Sequence, residues 1–254
     1  MTRNLLLIAG AAFLLCVVCL SGATALGGHE YLGRHWTHHW TIDWNDVPGA
    51  AAGRDEASSG DGGQGVREIA WSGADALELE APADVVFTQA PGPGKLVISG
   101  PRGALDRLVL DGSRLAYRDD DDDFGRLQVV MTAPDVRRFA IDGDGRIRIN
   151  SYAQDDLALD VSGHGDISGA GQARNVRIDI SGSGDVDLSG MKAQSAYADI
   201  SGDGRAKVAP AASADLHISG AGEIDLVTRP PRLVSDVSGA GRIVEDSAAT
   251  TPPG

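Results

Sequence analysis

Cysteine is almost absent: two residues in 254, Cys16 and Cys19, both inside the first apolar stretch. A chain without them has no disulfide framework, no thiolate metal site and no cysteine nucleophile. Positive charge is also scarce, with 22 Lys and Arg against 36 Asp and Glu and a net charge of −14. That balance lacks the clustered cations that grip a phosphate backbone, so no nucleic-acid partner is expected. Aromatic residues make up 5% of the chain, so a core must be aliphatic. Glu is the third shortage, seven residues beside 29 Asp. Because Asp favours turns and caps while Glu favours helix interiors, the chain reads as β-rich and turn-dense.

What is present begins with an export signal. Arg3 supplies a positive start, Leu5 to Leu20 is an apolar run without charge, and Ala23-Thr24-Ala25 is a small-x-small cleavage site. Residues 1–25 are therefore expected to be removed after Ala25. The large residues Leu15 and Val18 before the two cysteines argue against lipidation. The alternative is an uncleaved membrane anchor, since Leu5 to Leu26 is about long enough to span a bilayer. Either way the rest is expected outside the cytoplasm, in the periplasm or at the cell surface. Residues 26–65 divide into a His- and Trp-rich part and a Gly/Ala/Ser/Asp linker, and 247–254 form a polar tail.

A Gly-x-Gly pair recurs at Gly143, Gly163, Gly182, Gly202, Gly220 and Gly239, in steps of 20, 19, 20, 18 and 19 residues. A near-constant period of this kind marks a repeat architecture. Two residues before the first glycine stand Ile141, Val161, Ile180, Ile200, Ile218 and Val237; four after it stand Ile147, Ile167, Val186, Ala206, Ile224 and Ile243. Polar residues alternate with them on both sides of the corner. Period-2 alternation predicts two strands per coil with aliphatic side chains inside. One coil cannot bury its own inner row, whereas stacked coils can. We therefore expect an all-β fold, a right-handed parallel β-helix (β-solenoid) with coils of about 19 residues, within a domain spanning 66–246. Residues 66–138 are expected to add less regular strands on the same core, and the serine before most corners to hydrogen-bond turn amides.

The repeated Ile-Ser-Gly-Ser-Gly-Asp-Val unit of Ile180 to Val186, the run Leu96 to Arg118 and the segment Val129-Val130-Met131-Thr132-Ala133-Pro134 resemble the head GIN domain family of extracytoplasmic, adhesin-like bacterial proteins. The resemblance covers about 66–246. It implies a β-helical fold and a binding role at the cell envelope, with no catalytic residues to carry over. Ten residues follow Val244, so no translocator barrel is expected from this sequence.

Candidate chemistry is sparse. His35, His38 and His39, with helical spacing, form a possible imidazole site for Zn or Cu. The same stretch alternates Trp36, His38, Trp40, Ile42 and Trp44, which reads equally as an apolar strip docking on the solenoid or at a membrane surface. Asp119 to Asp123 is read as a solvated hairpin tip, since it lacks the ligand spacing of a calcium loop. Asp160, Asp179, Asp199 and Asp236 occupy one position in successive coils and form a candidate acidic face, interrupted at His217. Stacked about 4.8 Å apart, such carboxylates repel by on the order of 1 kcal/mol per pair in water, with Arg146, Arg177 and Arg205 as compensating neighbours. Stability is then expected to rise with salt or on acidification. His164 and His217 are expected to face solvent.

The corners are not phosphate loops, which occur once and lead into a helix, nor calcium nonapeptides, which place a turn every nine residues. No nucleophile elbow or His-Glu-x-x-His is present. The expected function is an exported, noncatalytic solenoid that binds envelope glycan or protein, or another copy of itself, without a cofactor. The alternatives are a polysaccharide-acting enzyme on a β-helix and a calcium-dependent binding module.

Overall fold

A computed structural model describes residues 63–118 and 125–245. The segments 1–25 and 247–254, the imidazole cluster and the Asp119 to Asp123 run lie outside them. The order is β1 (Gln64–Ala70), β2 (Ala76–Leu79), β3 (Ala83–Gln89), β4 (Lys95–Pro101), α1 (Arg102–Arg107), β5 (Leu108–Asp111), β6 (Arg114–Tyr117), β7 (Leu127–Ala133), β8 (Arg138–Gly143), β9 (Gly145–Ala153), β10 (Asp156–Gly163), β11 (Asp166–Gly182), β12 (Asp185–Gly202), β13 (Arg205–Val208), β14 (Pro210–Gly220), β15 (Glu223–Leu226), β16 (Arg232–Gly239) and β17 (Arg242–Glu245). The architecture is a β-solenoid, as the glycine period predicts.

Parallel pairing stacks the segments before the corners into one face and those after them into another. On the first face Val161 pairs with Ile141 and Ile180, Ile180 with Ile200, Ile200 with Ile218, and Ile218 with Val237. On the second, Ile167 pairs with Ile147 and Val186, Val186 with Ala206, Ala206 with Ile224, and Ile224 with Ile243. The inner residues from Ile141 to Ile218 and from Ile147 to Ile224 are at most 2% exposed, and the buried core of the described residues is entirely hydrophobic. This phase follows from the alternation of apolar and charged side chains.

The regular stack begins one coil earlier than the glycine pattern indicates. Leu77 and Leu79 pair with Phe139 and Ile141, and Val85 and Phe87 with Ile147 and Ile149, so β2 and β3 make a complete coil. Its corner is Glu80-Ala81-Pro82, which has no glycine signature. Phe87 and Phe139 meet edge to face with centroids 5.0 Å apart. Beyond this coil β6 continues the parallel order on β2 and β7 on β3. The pattern then reverses, with β4 antiparallel to β7 and β1 antiparallel to β4. The short α1 buries Ala104 and Leu105 there, tied to β1 by Arg67, which donates to the carbonyls of Leu105 and Leu108.

Each corner needs its glycines for two reasons. At Gly202 the backbone lies at φ +132°, which L side chains rarely adopt, and at Gly204 a Cβ would sit 2.6 Å from Ile180 Cγ2 of the coil before. The corners are stitched by backbone bonds such as Asp203 N–H to Gly182 O at 2.9 Å. The serines before them do not bond turn amides as expected: Ser162, Ser181, Ser201 and Ser219 face solvent because they fall on the outward phase of the strand.

Candidate ligand-binding face

The outward rows of the two faces differ in how their charges are used. On the second face the row after the corners mixes both signs, and although Asp166 and Asp185 are neighbours each has an arginine on its other side: Arg146 reaches Asp166 at 3.1 Å, Arg205 reaches Asp185 at 3.6 Å and Glu223 at 3.4 Å, and Arg242 reaches Glu223 at 2.7 Å. Desolvation pushes the Glu223 carboxyl up, but hydrogen bonds and charge from Arg242 and Arg205 outweigh it and hold it below the usual carboxylate range. Asp187 behaves similarly: desolvation opposes, while hydrogen bonds from Ser189 and the charge of Lys207 lower it. Along this row each of the named charges has a partner of opposite sign on an adjacent coil.

These shifts set the pH response. A carboxylate held low in the folded state contributes stability that is full above its unfolded value, about 4.3 for Glu, and is lost as pH falls through the lowered native value. The melting temperature is therefore expected to fall on acidification below about pH 4, and Glu223→Gln to remove part of that slope, as thermal melts across pH would show. An unchanged slope in the variant would assign the acid sensitivity elsewhere. For these two carboxylates the sign is opposite to the relief by acid expected of the acidic row.

The first face carries the acidic row in the expected register: Asp160 beside Asp179, Asp179 beside Asp199, then His217 and Asp236. Of the three arginines expected to compensate it, Arg177 does so, whereas the other two do not. Arg146 and Arg205 follow their corners and so lie on the second face. The actual partners come from the row two residues earlier: Arg138 reaches Asp160 at 2.7 Å, Arg177 reaches Asp179 at 2.7 Å, and the Tyr197 hydroxyl donates to Asp199 at 3.4 Å. Each of these carboxylates is turned sideways toward a partner. Among the described residues no group of three or more His, Cys, Asp or Glu is arranged to hold a metal ion.

Apart from Arg177, that earlier row was not singled out from the sequence. Continuing the alternation one step before Phe139, Leu159, Ile178, Ala198 and Leu216 finds it: Arg138, Ala158, Arg177, Tyr197 and Asp215. The Arg177 guanidinium lies over the Tyr197 ring, 4.3 Å from its centroid, with the His217 ring 5.6 Å away on the next coil. Such a cation on an aromatic face is held by the ring quadrupole. His217 also sits 3.0 Å from Asp215, and His164 is largely exposed, 4.0 Å from Asp144. One row further out, Asn175 donates to Asp156 at 2.8 Å and Ser195 to Asn175 at 2.8 Å.

Together these rows border a groove of about 780 Å³ on the first face, lined by Arg138, Asn175, Arg177, Tyr197, Asp215 and Arg232 among others. Small side chains at Ala158, Ala196 and Ala214 form its floor. A shallower depression of about 510 Å³ adjoins it along Asp160, Asp179 and Asp199. The profile of the family described as "Putative auto-transporter adhesin, head GIN domain" matches residues 73–230.

The chain belongs to the head GIN domain family.

The matched segment begins just before β2 and runs through β15, so it includes the coil that lacks the glycine signature. Among solved structures, a "putative adhesin" from Bacteroides fragilis is similar at 18% identity with TM-score 0.60, covering 72% of this chain and 97% of the other. A "putative adhesin" from Parabacteroides distasonis is similar at 15% identity with TM-score 0.49, covering 73% and 98%. A "putative lipid binding protein" from the same species is similar at 17% identity with TM-score 0.45, covering 73% and 98%. At such identities the first of these bears on the fold alone, where it agrees with the solenoid. No match is found among curated proteins. No helix of the described residues is long and apolar enough to cross a membrane.

Proposed function

We propose that this head GIN domain protein is an exported, noncatalytic binding module of the bacterial cell envelope, and that its ligand lies in the groove of the first face. The observation that carries the reading is the contrast between the faces. The second ties one row of charges into a ladder beside a depression of about 380 Å³, whereas the first presents a groove of about 780 Å³ in which Arg177, Tyr197, Asn175, Ser195 and Asp215 set donors and acceptors in rows. Donors and acceptors repeated at the coil spacing suit a chain of hydroxyl-bearing units, so the ligand class is an envelope glycan. Export rests on the charged start, apolar run and Ala23-Thr24-Ala25 site of residues 1–25. The cluster at His35, His38 and His39 has no part in this proposal.

A glycan array followed by titration calorimetry on retained glycans tests it. Tyr197→Ala and Arg177→Ala are each expected to weaken binding about tenfold or more, the usual effect of removing a central anchor, while Arg146→Ala on the second face leaves it unchanged. Retained glycan is expected to be recovered at its original length. Shortened products would favour a polysaccharide-acting enzyme, and equal losses from variants of both faces would remove the groove as the site.

A further inference from the structure

We infer that two copies of this chain pair end to end through β16, the last strand of the first face, forming an antiparallel two-fold dimer. The inference does not require the glycan reading, although Arg232 and Val234 also line the end of that groove, and it rests on the other end of the stack from α1. Among the described residues β16 pairs only with β14, and β17 only with β15, so the final coil offers two rows of unpaired backbone groups. An open strand edge of this kind is a template for another strand. An inner position covered in the earlier coils is uncovered here: Val237 is 41% exposed where Ile218 is 2%. Val234 on the outward phase is 45% exposed.

The choice of a second copy follows from the side chains of β16 itself. Arg232 and Asp236 both point outward, and neither has an ion pair with another described residue, whereas Asp160 and Asp179 in earlier coils are paired. They stand symmetrically about Val234. When two β16 strands run antiparallel with Val234 on the two-fold axis, Arg232 of each copy lies opposite Asp236 of the other, and Leu233 opposite Ser235. Both pairs keep inward residues facing inward, since positions that share an antiparallel pair share a face. For a chain of net charge −14, contact between copies is favoured where the surface is locally neutral and self-complementary. An isologous contact of this kind uses the same edge of both copies and closes at two, without growth into a fibre.

The test is sedimentation equilibrium on the full exported chain together with cross-linking. The expected result is a mass twice that of the chain. Asp236→Arg is expected to raise the dissociation constant about tenfold or more, because two attractive cross-strand pairs become two repulsive ones. The double swap Arg232→Asp with Asp236→Arg restores dimerisation, which separates loss of pairing from loss of folding. Independently, Val234→Cys, with Cys16→Ser and Cys19→Ser if those residues are retained, is expected to form an intermolecular disulfide under mild oxidation, since opposed residues lie within disulfide reach. A monomeric wild type overturns the proposal, including one that dimerises only when residues 246–254 or 29–47 are removed, which would identify a segment of the same chain as the occupant. A dimer indifferent to Asp236→Arg overturns it as well.

Discussion

Ile180→Asp is expected to lower the melting temperature by on the order of 10 °C or more, while Asp179→Asn, one residue away, shifts it by no more than a few degrees. Ile180 is 2% exposed and sits between Val161 and Ile200 of adjacent coils. Its Cγ2 also lies beneath the corner of the next coil, near Gly204. A carboxylate there loses the transfer free energy of the aliphatic side chain and has no buried polar group to meet it, since the buried core of the described residues contains none. The combined penalty is several kcal/mol, a large share of the stability of an ordinary domain. Asp179 gives up only its contact with Arg177 at 2.7 Å, with side chains 33% and 56% exposed, worth about 0.5 kcal/mol. Because each coil contacts mainly its neighbours, hydrogen exchange in Ile180→Asp should rise most in β10, β11 and β12. Equal melting of the two variants would mean that the inward phase is wrong.

That phase was legible in the sequence because two signals coincide in every coil from Phe139 onward: alternation of period two and a glycine pair that breaks it. The coil of Leu77 and Phe87 carries the same alternation, but its corner is Ala81 and Pro82, and the insertion from β4 to β7 separates it from its partner strands. Periodicity along the chain cannot see a neighbour displaced by an insertion. Only tertiary pairing reveals that Leu79 stacks on Ile141.

The candidate site was legible in half. A fixed period places Asp160, Asp179 and Asp199 in one row, so their register followed from counting. Their partners required knowing on which side of the corner each arginine falls. Arg146 and Arg205 come after their glycines and therefore turn onto the second face, where Asp166, Asp185 and Glu223 engage them. Arg177 precedes its glycine and stays beside Asp179. Arg138 pairs with Asp160 from the neighbouring strand, a diagonal relation that no reading along one strand contains. The groove itself depends on the small residues Ala158, Ala196 and Ala214 coinciding with the Arg177 and Tyr197 contact, which is a property of packing between coils.

Gly202→Ala is expected to cost about 3–5 kcal/mol, whereas Gly143→Ala at the equivalent corner costs about 1–2 kcal/mol. Both glycines have positive φ, +132° and +104°, so both substitutions force an L residue into the left-handed half of backbone space. They differ in what lies beneath. A Cβ at Gly202 would sit 2.4 Å from the carbonyl oxygen of Gly182 and 3.2 Å from its nitrogen, whereas at Gly143 nothing lies within 4 Å. Backbone atoms of a paired strand cannot rotate aside as a side chain can. The Gly202 corner must therefore separate from its neighbour and weaken the bonds that stitch it, Asp203 N–H to Gly182 O at 2.9 Å and Ala221 N–H to Gly202 O at 3.0 Å. The Gly143 corner stacks over Ala81, in a coil that turns without glycine, and leaves room for the added methyl. Thermal melts of the two variants measure the difference directly. Equal destabilisation would mean that backbone strain alone fixes glycine at these corners; a larger loss at Gly202 would mean that the stacking distance between coils fixes it there.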